Sequence, residues 1–256
     1  MKVVIKIGTS TLTHEGGRVN LRRVSQLCRV ISDIKNAGHS PILVSSGAIG
    51  MGVGKLRLGQ KPTEIASKQA CAAIGQCELM YIYDREFLEY GHTVAQILLT
   101  SPDLDSANRR SNFIGTMDRL LGYGAIPIIN ENDTIATEEI VFGDNDTLAA
   151  RVAVNVGADL LVLLSDIDYL YDKNPRDNSD AQPIFEVHEL TDEILALGEG
   201  AGTSRGTGGM HTKLLAARIA TEGGCEMVIT NGECPESLYR IVNGEKVGTR
   251  FYRKGE

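Results

Sequence analysis

Short runs that are apolar at nearly every position alternate along this chain with longer stretches in which apolar residues recur every three or four positions. Lys2 to Ile7 reads as a buried strand ending at Gly8-Thr9-Ser10, and Pro41 to Ser45 as a second. Between them Val24, Leu27, Cys28, Ile31 and Ile34 keep helical spacing, with Asn20 as N-cap and Gly38 as stop. The pattern continues with a helix from about Thr63 to Tyr90, a strand from Thr93 to Leu99, a helix from about Asn108 to Tyr123 and a strand from Ala125 to Ile129. A hairpin-like polar insertion follows, then a helix from the Gly143-Asp144-Asn145-Asp146 run to Val156 and the strand Leu160 to Leu164. The last third holds a polar loop from Tyr169 to Pro183, a helix near Thr191 to Leu197, a helix from about Met210 to Glu222 and the strand Met227 to Thr230, with a short helix and strand to Phe251.

Strands that are apolar throughout, separated by helices, require a sheet covered on both faces. The expected fold class is α/β with a mainly parallel central sheet, and functional residues are expected beyond the strands' carboxyl ends. A length of 256 residues fits one such domain, and no repeat or linker divides it.

Hydrophobic residues at 42% and charged residues at 23% place the chain among folded globular proteins rather than disordered ones. A net charge of -7 argues against a sequence-independent nucleic-acid surface, which draws on dense Lys and Arg. No run approaches the ~18 apolar residues of a membrane span, and the first residues enter a strand directly, so a cytoplasmic protein without membrane attachment is expected. Cys28, Cys71, Cys77, Cys225 and Cys234 lack metal-site spacing and are expected as inert thiols. The five histidines form no triad or metal pattern.

Glycine is in excess, and much of that excess sits in two stretches. Ser46 to Gly54 carries glycine at 47, 50, 52 and 54 directly after a strand, where backbone N–H groups can converge on an anion or where the chain simply turns. Gly206-Thr207-Gly208-Gly209-Met210-His211-Thr212-Lys213 enters a helix but is not a Walker A loop, because Leu214 stands where that motif has Ser or Thr. Lys213 either meets a phosphate or is a surface lysine. Lys6, flanked by Ile5 and Ile7, either reaches an anion at the sheet edge or snorkels to solvent. Asn130-Glu131-Asn132-Asp133 and Gly143-Asp144-Asn145-Asp146 either cap and turn the chain or hold a ligand ammonium and orient lysines.

As an ordered set, Val4 to Ser10, Val44 to Ile49, Ile128 to Asp133, Gly143 to Asp146, Leu164-Ser165-Asp166, Gly206 to Lys213 and Val247 to Phe251 resemble the amino acid kinase family. The resemblance implies a three-layer αβα sandwich forming a single domain over residues 1–256, with the amino-terminal half binding the phosphoryl acceptor and the carboxyl-terminal half binding ATP. It also implies catalytic roles for Lys6, Asp146 and Lys213, acceptor contacts from Ser46, Asp133 and Asn145, and ATP contacts from Lys6, Ser165, Asp166 and Gly206 to Lys213. Ser165 stands where many relatives carry threonine. Many bacterial relatives continue into an RNA-binding-like domain, whereas this sequence stops at Glu256.

The activity implied is ATP-dependent phosphorylation of the side-chain carboxylate of L-glutamate, the first step of proline biosynthesis. Mg²⁺ is implied as cofactor without a protein metal site, proline as inhibitor, and a homo-oligomer, dimer or tetramer, with functional coupling to glutamyl phosphate reductase. Rival acceptors in the same family are N-acetylglutamate, aspartate, carbamate and nucleoside monophosphates. A non-catalytic nucleotide-binding regulator is the rival of another class.

Overall fold

The computed structural model describes residues 1–14, 18–136, 145–175, 177–198 and 209–255. Lys2–Ile7 (β1) lies in the middle of an eight-stranded sheet. It pairs in parallel with Ser40–Ser45 (β2) on one edge and with Leu160–Ser165 (β5) on the other. Beyond β2 come Ile126–Glu131 (β4) and the edge strand Val94–Leu99 (β3). Beyond β5 comes Glu226–Asn231 (β9), then Thr249–Phe251 (β10), which runs antiparallel to β9, and the edge strand Glu186–Val187 (β8). Leu170–Tyr171 (β6) and Pro183–Ile184 (β7) form a separate antiparallel pair inside the stretch expected to be loop.

Alternation along the strands divides the core in two. Val3, Ile5 and Ile7 face a layer built from Thr9–Leu12 (α1), Leu21–Asn36 (α2), Ala48–Lys55 (α3), Ile65–Leu88 (α4) and, near the chain end, Ser237–Val242 (α10). Val4 faces the opposite layer, built from Ser101–Asp105 (α5), Ala107–Gly122 (α6), Asn145–Asn155 (α7), Asp192–Ala196 (α8) and Met210–Glu222 (α9). The result is a three-layer αβα sandwich with a mainly parallel sheet. Because Lys6 shares the parity of Val4, its side chain leaves the strand on the face covered by α7 and α9.

Local sequence accounts for the element ends. Asn20 Oδ1 accepts from the Arg23 backbone N–H at 3.2 Å, the N-cap that starts α2. Thr100 and Asp103 form a reciprocal capping box on α5, a helix too short for apolar periodicity to announce. The five cysteines carry free thiols, and burial pushes the Cys28 and Cys225 thiols up, which keeps them unreactive. The hairpin-like insertion expected before Gly143 falls in residues 137–144, outside the described residues. Among the described residues, no helix is long and apolar enough to cross a membrane.

The glycine-rich stretch after β2 differs from expectation. Only Gly47 takes a left-handed conformation, at φ 97°, and the glycines that follow belong to helix α3 rather than to a loop. Their use is close packing. A Cβ on Gly52 would sit 1.9 Å from the Cys71 carbonyl oxygen, and one on Gly75 would sit 1.8 Å from that of Ala48, so α3 and α4 meet backbone to backbone. Gly75→Ala is therefore expected to destabilise the protein by about 1–3 kcal/mol through overpacking. Gly115→Ala, on an open face of α6 with nothing within 4 Å, is expected to stabilise it by about 0.5–1 kcal/mol. Urea unfolding of the two variants against wild type tests the contrast; a harmless Gly75→Ala would contradict the close approach.

Candidate active site

The carboxyl ends of β1, β2, β4, β5 and β9 meet at one edge of the sheet. Lys6 is level with Val44 and Leu163, Val44 with Ile129, and Ser165 with Asn231. The chain order reverses across β1, with β2 on one side and β5 on the other, the arrangement that opens a crevice at the strand ends.

At the centre is Asp146, in the first turn of α7, with no exposed surface. Lys6 Nζ lies 2.6 Å from its Oδ1 and Lys213 Nζ 3.0 Å from its Oδ2. The lysine side chains are only 11% and 7% exposed, so three charged groups share a nearly dry space. Burial by itself would raise the Asp146 carboxyl. The charges and hydrogen bonds of Lys6 and Lys213 outweigh that and hold it well below the usual carboxylate range. Two cations against one anion leave the cluster with one positive charge, suited to an anionic ligand. The Thr212 hydroxyl, one turn into α9, lies 3.2 Å from Asp146 Oδ2 and 2.8 Å from the Gly209 carbonyl oxygen. The space beside Gly8 is uncrowded: a Cβ there would lie 3.8 Å from Lys6 Nζ and 3.6 Å from the Leu164 carbonyl oxygen.

Beside this cluster lies an amide network. Asn145 Nδ2 donates to the Ser45 carbonyl at 2.8 Å, to Ser46 Oγ at 3.0 Å and to Asn130 Oδ1 at 3.0 Å. Asn130 Oδ1 also accepts from the Glu131 backbone N–H, while Asn130 Nδ2 donates to Gln76 Oε1 at 2.8 Å. Ser45 Oγ meets Tyr83 Oη at 3.0 Å. Ser46 opens the turn into α3, whose N-terminus has no side-chain cap and presents its first N–H groups at the same edge. Asp133 sits half-buried in the turn after β4, three residues beyond Asn130.

On the β5 side, Ser165 Oγ donates to Asp166 Oδ1 at 3.1 Å, Ser165 buried and Asp166 exposed. Gly209 is the N-cap of α9, followed by Met210, His211 and Thr212 in its first turn. Gly206, Thr207 and Gly208 lie outside the described residues, as do Gly143 and Asp144. The structure thus brings Lys6, Asp146 and Lys213 into one cluster and Ser46 and Asn145 into one hydrogen bond, with Ser165 and Asp166 at the end of the strand next to β1. Sequence reasoning missed Gln76, the Tyr83–Ser45 contact and the approach of Thr212 to Asp146. The only signal for Gln76 was its place on the buried face of a helix.

Such an arrangement can bind two anions side by side and offset charge that builds on oxygen between them. The amino acid kinase family profile matches residues 1–231. A glutamate 5-kinase of Clostridium perfringens is 55% identical over all of this chain and 97% of its own length. A glutamate 5-kinase of Caldanaerobacter subterraneus is 53% identical over 98% of the chain and 68% of its own length. Among solved structures, carbamate kinase from Giardia lamblia bound to AMP-PNP superposes with TM-score 0.71 at 16% identity, covering 99% of this chain and 98% of its own. UMP kinase from Bacillus anthracis gives 0.66 at 15% identity, covering 98% and 95%. These two likenesses concern the fold.

Asp146 is expected to remain ionised throughout neutral and mildly acidic pH. Removing it leaves two buried ammonium groups facing each other, so Asp146→Asn is expected to cost about 3–5 kcal/mol, whereas Lys213→Met, which leaves Asp146 paired to Lys6, costs less. A carboxyl whose folded pKa is depressed contributes stability above its unfolded pKa and loses it as pH falls through the folded one. The difference between wild type and Asp146→Asn is therefore expected to be constant above about pH 5 and to shrink below about pH 4. Urea titrations across pH check both statements; a difference that grows on acidification would refute the pairing.

Proposed function

The chain belongs to the amino acid kinase family, and from that premise we propose that it transfers the γ-phosphoryl group of ATP to the side-chain carboxylate of L-glutamate, giving L-glutamyl 5-phosphate for proline synthesis. The observation that carries the reading is the buried Lys6–Asp146–Lys213 cluster at the strand ends, next to the Ser46–Asn145 pair. Full-length relatives at 53% to 55% identity that are glutamate 5-kinases support the choice of acceptor.

In this reading the domain spans the whole chain, with the acceptor on the side of Ser46, Asp133 and Asn145 and the nucleotide on the side of Ser165, Asp166 and the α9 N-terminus. A glutamate side chain has a reference pKa near ~4.3, so the nucleophile arrives ionised and needs no general base. Asp146 does not serve as one, because lysines occupy both of its oxygens; it fixes the two ammonium groups. One carboxylate oxygen attacks the γ-phosphorus in line, the bond to the ADP oxygen breaks, and no proton need move. Lys6 and Lys213 offset charge on the transferring group and on the departing phosphate. Because they are held before substrate arrives, little reorganisation remains at the transition state.

Mg²⁺ fits this site as an ion borne by the nucleotide. Lysines engage both oxygens of the central carboxylate, which suits an ion brought in by the nucleotide rather than by a protein cage. Mg²⁺ would be held through nucleotide phosphates and waters and would offset part of their negative charge. Proline shares the α-carboxylate and cationic nitrogen of glutamate without the side-chain nucleophile, which suits it to inhibit by occupying the Asp133 side of the acceptor pocket. A homo-oligomer, dimer or tetramer, and functional coupling to glutamyl phosphate reductase, which consumes a labile acyl phosphate, complete the proposal.

An acceptor screen with ATP and Mg²⁺, trapping acyl phosphate with hydroxylamine, is expected to rank glutamate above N-acetylglutamate, aspartate, carbamate and UMP. A different first-ranked acceptor would overturn the assignment, and absence of any ATP turnover would favour a regulator. Lys213→Ala is expected to lower kcat by about 10² or more while ATP affinity falls less; a loss confined to KM would make Lys213 a uniform binding group. Rates against glutamate at several proline concentrations are expected to show inhibition that glutamate relieves, and Asp133→Ala is expected to weaken both glutamate use and proline sensitivity. Inhibition that saturating glutamate leaves intact would place proline elsewhere.

A further inference from the structure

Helix α4 faces the sheet with Leu79, Ile82, Tyr83 and Phe87, an apolar surface except at two points. One is Tyr83, whose hydroxyl meets Ser45. The other is Gln76, 8% exposed, whose Oε1 accepts from Asn130 Nδ2 at 2.8 Å and whose Nε2 is buried without a hydrogen-bond partner among the described residues. A buried amide with one edge unpaired costs stability, and only its other edge, on Asn130, offsets that cost. Gln76 lies next to Gly75, the residue that lets α4 touch the Ala48 backbone at the start of α3.

We propose that Gln76 is a positioning residue for the acceptor pocket, acting through Asn130 and Asn145 on Ser46; the inference rests on the acceptor side assigned above. The backbone N–H of Glu131 turns Asn130 Oδ1 inward, and the backbone carbonyl of Ser45 fixes the Nδ2 edge of Asn145. Gln76 Oε1 holds the remaining edge of Asn130. Asn145 Nδ2 shares two protons among three acceptors, at 2.8, 3.0 and 3.0 Å, so withdrawing one acceptor redistributes the protons over the other two and moves the amide. If Gln76 loses its oxygen, Asn130 Nδ2 is left buried and unpaired, and the amide gains by rotating away, which withdraws Oδ1 from Asn145. The Nδ2 of Asn145 then shifts on Ser46 Oγ, the hydroxyl that faces the acceptor.

The effect is specific to the acceptor side. Gln76→Met exchanges one unpaired amide edge for another, so the unfolding midpoint is expected to move little. KM for the acceptor that ranks first in the hydroxylamine screen is expected to rise at least about tenfold, the factor for a misplaced oriented partner. KM for ATP is expected to stay within about twofold, since the Lys6–Asp146–Lys213 cluster is untouched. Gln76→Glu keeps an oxygen opposite Asn130 Nδ2 and is expected to lie nearer wild type than Gln76→Met. Combined with Asn145→Ala, the Gln76→Met change is expected to add less than its single effect, because both act on one network.

Unchanged acceptor KM in Gln76→Met overturns the inference. So does a loss in which acceptor KM, ATP KM and thermal midpoint all worsen together, the mark of a merely structural residue. If Gln76→Met does not fold, a Gln76→Glu variant that folds and has an acceptor KM raised tenfold overturns it equally. The identity of the wild-type acceptor is read separately in the same assay, so failure of the glutamate assignment and failure of the Gln76 role are distinguishable.

Discussion

A carboxylate with no exposed surface must be compensated by its surroundings, and the compensation of Asp146 organises this molecule. Two lysine partners come from distant parts of the chain, Lys6 from the first strand and Lys213 from a helix more than two hundred residues later. For both to reach it, Lys6 must leave β1 on the face covered by α7 and α9, which the parity of Val3, Val4 and Ile5 ensures. A one-residue slip of β1 would place Ile5 or Ile7 against the carboxylate and bury Lys6 among α2 and α4. Register and electrostatics therefore select the same arrangement.

The sequence made part of this legible. A lysine inside an otherwise apolar strand is costly enough to demand a reason, and the period-2 pattern around it shows which neighbours share its face. The order of strands and helices was legible because buried parallel strands are apolar throughout, and their mates differ little in length. What stayed hidden depended on contacts between distant segments. Gly52 and Gly75 are recognisable as glycines, but that they let two helices touch is a property of the pair. Gln76 reads only as a polar residue on the buried face of a helix until Asn130 is placed beside it. The five residues of α5 carry too few apolar positions to declare a period, although their capping box is written in Thr100 and Asp103.

Helix α4 carries more of the site's geometry than its composition suggests. Gly75 sets the distance to α3, Gln76 holds the end of β4, and Tyr83 reaches the end of β2. Three elements that end at the polar network around Asn145 are thus braced from one rigid body. Support of this kind is what a polar pocket requires, since an amide displaced by an ångström loses most of its directional value.

The central place of β1 also bears on how the chain assembles. One edge of β1 pairs with β2, made within forty positions of it, but the other edge, Val3 to Ile7, waits for Leu160 to Leu164. Lys2 is fastened to Asp159 and Val156 across the same interval. Until that segment leaves the ribosome, the nascent chain presents an apolar, unpaired strand edge, the surface on which stray pairing and chaperone capture act. The buried carboxylate acquires its second lysine later still, when α9 docks. In such a topology the lysine–carboxylate cluster is among the last parts to be completed, and a truncated or stalled chain has an exposed strand edge but no assembled cluster.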